Sequence, residues 1–98
     1  MKFKKLIKAN NIELDKVENI INNIISTSDL PINVDKRSDN IQVLINYDDI
    51  HGNYNKTMDK FDDLLVEIKI KLLQEFRRRV KFGSIYGDQI GMSIEIEE

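Results

Sequence analysis

From Thr57 to Phe82 the chain reads TMDKFDDLLVEIKIKLLQEFRRRVKF. Met58, Phe61, Leu65, Ile68, Leu72, Phe76 and Val80 recur every three or four residues, the spacing that keeps side chains on one helical face. This predicts a single long helix over residues 57–82 whose main stripe packs on a core. Val66, Ile70 and Leu73 follow the same rhythm off that stripe and lead to Arg77. A helix greasy on two sides needs two covers. The second is either the rest of this small domain, wrapped around the helix from two sides, or another protein or a second copy of the chain; the expectation is one of the latter two, with Val66, Ile70, Leu73 and Arg77 as the partner or dimer interface.

Upstream of that helix, Leu14, Val17, Ile20, Ile21, Ile24 and Ile25 mark an amphipathic helix over residues 13–26, and Asn10 with Glu13 has the spacing of a capping box. Phe3 and Ile7 extend the pattern backwards, as one bent helix or two short ones, with Asn10-Asn11 favouring a break. Pro31 excludes helical backbone at Leu30 and ends this unit. Ile32 and Val34, a polar turn at Lys36-Arg37-Ser38-Asp39, and Ile41, Val43, Ile45 and Tyr47 then read as a hairpin.

Downstream, Met92, Ile94 and Ile96 alternate with Ser93, Glu95 and Glu97, which predicts a third strand with one buried and one acidic face. A fourth strand through Ser84-Ile85, turned by Tyr86-Gly87-Asp88-Gln89, is balanced against a loop. Helix, hairpin, helix, strand does not alternate as parallel βαβ units do. The fold expected is α+β, a small two-layer domain over residues 1–98: a mostly antiparallel sheet of three or four strands, packed by an N-terminal helical unit and one long helix.

The bulk numbers limit function more than they name it. With 98 residues, 41% hydrophobic and 33% charged, the chain has the makeup of a soluble globular domain with one core. No apolar run approaches the roughly 20 residues that span a bilayer, and lysines interrupt the start too often for a signal peptide, so a cytoplasmic protein without a membrane partner is expected. There is no cysteine, hence no disulfide, thiolate zinc site or thiol nucleophile. Isoleucine, asparagine and lysine dominate against a single alanine, Ala9, a skew typical of AT-rich coding, as in low-GC bacteria and their phages or archaeal viruses.

Chemistry-bearing constellations are sparse. Arg77, Arg78, Arg79 and Lys81 concentrate positive charge and could contact phosphate. Consecutive helical residues diverge by about 100°, however, and cations near a helix end complement its dipole, with Gly83 as the expected stop. A net charge of -2 gives no general attraction to nucleic acid. A helix-turn-helix over residues 4–25 lacks basic side chains in its second half.

Asp48, Asp49 and His51 form a polar loop that could hold a divalent ion, but one histidine among turn acids is an ordinary composition for a loop. Glu67-Ile68-Lys69 after those aspartates resembles the acid-then-Glu-x-Lys arrangement of restriction-type nucleases. That motif belongs on a strand, and the helical spacing around it is longer. Nucleophile elbows and glycine-rich phosphate loops are absent from the sequence. Glu95, Glu97 and Glu98 with Asp35, Asp39, Asp48 and Asp49 could gather as an acidic edge, although such charge usually protects a strand from aggregation.

No catalytic residue, metal or cofactor is expected. The function expected is a non-enzymatic protein-protein interaction module, of phage or mobile-element origin, acting as an inhibitor or regulator by occupying a partner's surface. Nucleic-acid binding through Arg77 to Lys81 is the first alternative, and a structural virion or scaffold component the second.

Overall fold

A computed structural model describes residues 11–97. Its elements, in chain order, are α1 (Asn11–Ile25), β1 (Asn33–Lys36), β2 (Ile41–Asn46), α2 (Tyr54–Phe76), β3 (Val80–Ile85) and β4 (Gln89–Ile96), with short 3-10 turns at Tyr47–Asp49 and Arg77–Arg79. The strands form one four-stranded sheet in the order β1-β2-β4-β3, and every neighbouring pair is antiparallel. The fold is therefore α+β, with both helices on one sheet face. Residues Phe3 and Ile7 and the Asn10 half of the capping box lie outside the described residues.

The first hairpin forms where alternation places it. Val34 pairs with Val43 and Lys36 with Ile41, and the turn closes through the Arg37 amide donating to the Asn40 carbonyl at 2.8 Å. The β3–β4 hairpin turns at Gly87, whose φ of 110° suits a residue without a Cβ. Because β4 lies between β2 and β3 and opposes both, β2 and β3 run parallel, and α2 is the crossover that joins them.

Period two decides what each face buries. Ile41, Val43 and Ile45 of β2 align with Ile94, Met92 and Ile90 of β4, and Val80 of β3 aligns with Ile96. Against this surface pack Leu14, Val17 and Ile21 of α1 and Phe61, Ile68, Leu72 and Phe76 of α2. Leu44 lies on the opposite face by alternation, between Asn33 and Gly91, and is also buried. A Cβ on Gly91 would lie 1.9 Å from the Val43 carbonyl oxygen, so this close strand approach requires glycine.

The second helix departs from the expectation. It starts at Tyr54 and stops at Phe76, six residues before Phe82, and Val80–Ile85 is a complete edge strand. Gly83 sits inside that strand, opposite Ser93, and is not a helix stop. The stop is at Arg77, with φ 56° and ψ -126°, whose amide still donates to the Leu73 carbonyl. Val80 and Phe82 keep apolar spacing on both templates. After the reversal at Arg77 their alternation as a strand buries Val80 and half-buries Phe82 on the sheet.

Candidate functional site

The 23 residues of α2 begin at Asn53, whose side chain accepts a hydrogen bond from the Lys56 amide at 2.9 Å. Tyr54 in the first turn stacks on Tyr47, with ring centroids 6.1 Å apart, which fixes the helix start against the end of β2. Desolvation, then a hydrogen bond with Tyr47, raises the Tyr54 phenol above its ordinary pKa of 10.0. At about 1.5 Å per residue α2 is about 34 Å long, and the sheet and α1 cover only part of its circumference.

The uncovered part is the second apolar stripe. Val66, Ile70 and Leu73 are 51%, 53% and 48% exposed, whereas Ile68 and Leu72 are 0% exposed. At 100° per residue Ile70 points about 160° away from Ile68, nearly opposite the core. Ile70 also lines a groove with Asn23, Ile24 and Thr27 of α1 and with Glu67 and Lys71 of its own helix. Acidic Asp59 and Asp63 precede the apolar stretch, and Lys69, Lys71 and exposed Arg77 flank or follow it.

Arg77, Arg78, Arg79 and Lys81 are not one basic face. Arg77 and Arg78 are exposed. The Arg79 guanidinium is engaged by Glu13 and by the Glu97 carbonyl, and Lys81 stands on the sheet face away from the helices, 3.9 Å from the Glu97 carboxylate. None of the four lies in the last turn of α2 itself, which ends at Phe76; Arg77 is its C-cap, and Arg77–Arg79 form the short 3-10 turn that follows.

Asp48 and Asp49 lie in the short turn after β2, and His51 is exposed beside them. An open cleft of about 410 Å³ there is lined by Asp29, Asp49, His51, Lys56 and Lys60 among others, a mixture of both charges. Among the described residues no three His, Asp or Glu side chains come together as a metal-holding group. Glu67 and Lys69 lie within α2, so the nuclease-like arrangement does not have its strand.

Asp48 and Asp49 do not share an edge with Glu95, and Glu98 lies outside the described residues. Asp48 and Asp49 follow Asn46, which pairs with Gln89, while Glu95 lies six residues along β4, about 20 Å away at strand rise. No helix among the described residues is long and apolar enough to cross a membrane. Neither a known family model nor a curated protein matches the chain.

Two linkages were invisible in the sequence: Arg79 to Glu13 and the close approach at Gly91. The first joins residues 66 positions apart. A glycine inside an alternating strand was the only signal for the second.

Proposed function

We propose that this protein is a small non-enzymatic interaction module, a regulator or inhibitor that works by occupying a partner's surface through Val66, Ile70 and Leu73 of α2. The observation that carries this reading is the half exposure of three consecutive stripe positions on a helix whose opposite side buries Phe61, Ile68, Leu72 and Phe76. Single exposed apolar residues are ordinary, but a contiguous stripe beside a groove is the usual form of a docking surface. Burying the remaining area contributes about 1 kcal/mol per half-exposed side chain, so the groove beside α1 and the flanking charges must add to it.

The test uses Ile70→Asp. Ile70 is half exposed, so the variant should keep wild-type circular dichroism and stability within about 0.5 kcal/mol. Wild-type protein immobilised in extract of its native host should retain a partner that the variant loses. Identical bound sets for the two proteins would reject the stripe as the contact surface.

A further inference from the structure

The outward stripe of α2 reads the same when the helix is reversed, with charge inverted. Asp63 precedes Ile70 by seven residues and Arg77 follows it by seven, while Val66 and Leu73 stand four before and three after. At about 100° per residue Asp63, Val66 and Leu73 lie within about 60° of the Ile70 direction, and Arg77 is the exposed C-cap that closes the helix beyond them. Among the described residues, neither Asp63 nor Arg77 joins an ion pair within the protomer.

We propose that the occupant of this surface is a second copy of the chain, with the two α2 helices antiparallel and the two-fold axis passing at Ile70. This rests on the reading of the stripe as a docking surface and names its partner. Two-fold symmetry makes every contact occur twice. Ile70 meets the partner's Ile70, Val66 meets the partner's Leu73, and Asp63 meets the partner's Arg77. On the α1 side of the helix Glu67 falls near the partner's Lys71 in the same arrangement. A parallel pairing would set Asp63 against Asp63 and Arg77 against Arg77, so charge selects the antiparallel one. A contact confined to one helix stripe per protomer is smaller than the roughly 800 Å² per partner of a standard interface, so the dimer expected is a weak one, and the test must reach high concentration.

Sedimentation of the full chain over a concentration series up to about 1 mM tests this, with circular dichroism to verify that each variant is folded. Wild-type protein should pass from monomer to dimer. Asp63→Arg gives each chain cations at both ends of the stripe, and Arg77→Asp gives each chain carboxylates at both ends. Each variant alone should self-associate at least about tenfold more weakly, and the equimolar mixture should recover association as a heterodimer. A wild type that stays monomeric throughout, or a dimer indifferent to both reversals, overturns the second-copy assignment. Should the wild type stay monomeric while Ile70→Asp still loses a captured host protein, self-association fails and the docking reading stands.

Discussion

Arg79 and Glu13 tie the start of β3 to the first turn of α1. Nη2 of Arg79 donates to both Glu13 carboxylate oxygens, at 2.6 and 2.5 Å, while its Nε donates to the Glu97 carbonyl at 2.8 Å. One guanidinium thereby joins the first helix, the start of an edge strand and the end of β4, one of the two inner strands. Charge-assisted bonds of this kind are the stronger ones, and Glu13 is largely shielded from water.

Arg79→Met should retain the aliphatic packing and lose about 1–2 kcal/mol of unfolding free energy in urea titration. In a double-mutant cycle with Glu13→Gln, the coupling should be about 1 kcal/mol. Zero coupling would mean that the pair is solvated and contributes nothing.

Arg77 occupies a backbone conformation, φ 56° with ψ -126°, that glycine adopts without steric conflict. Arg77→Gly should raise stability by about 0.5–1 kcal/mol after the entropy of the unfolded chain is counted. It should weaken self-association at the same time, since the stripe loses its terminal cation. A variant less stable than wild type would show that the Arg77 side chain holds the helix end in place.

The two strand glycines should respond differently to a methyl group. At Gly91 a Cβ would strike the Val43 backbone oxygen, which cannot move without breaking the β2–β4 ladder. Gly91→Ala should therefore cost about 3 kcal/mol or more. At Gly83 the obstacle is the Ser93 hydroxyl at 2.7 Å, which can rotate away. Gly83→Ala should stay within about 1 kcal/mol of wild type by thermal unfolding, and equal losses at the two sites would contradict this packing.

Lys36 of β1 donates to Asp15 of α1, and this hydrogen bond raises the ammonium above the ordinary lysine value of 10.5, only partly offset by desolvation. A raised folded-state pKa means that the protonated form stabilises the fold. The contribution is complete below pH 10.5, the unfolded value, and is lost as pH rises through the higher folded one. The stability difference between wild type and Asp15→Asn should be constant from neutral pH to about 10 and shrink above it. A difference that grows with alkalinity would have the wrong sign for this pair.

The legible parts of the fold were those set by short-range periodicity. Ile41, Val43 and Ile45 alternate and are buried in a row. Met92, Ile94 and Ile96 do the same, and Val66, Ile70 and Leu73 remain outside the core as their helical angle requires. The end of α2 was misplaced because Phe76 and Val80 are four residues apart, a spacing equally consistent with one more helical turn. What ended the helix was an arginine with positive φ, a role for which only glycine or asparagine would have been a signal. For the same reason the basic run looked like a helix terminus, when Arg79 is instead bound to a helix 66 residues away in the chain. Long-range pairing of that kind has no local pattern.

Because the chain contains no cysteine, a single introduced thiol reports where two copies touch. Ile70→Cys places it on the proposed two-fold axis, and Tyr86→Cys places it at the most exposed large hydrophobic position among the described residues, 79% exposed at the tip of the β3–β4 hairpin. Under mild oxidation at equal concentration, docking of α2 against α2 predicts a disulfide-linked dimer of Ile70→Cys forming about tenfold or more faster than that of Tyr86→Cys, since a thiol held opposite its own copy does not wait for random encounter. Equal rates for the two thiols, or a faster reaction at position 86, would contradict association through this face of the helix.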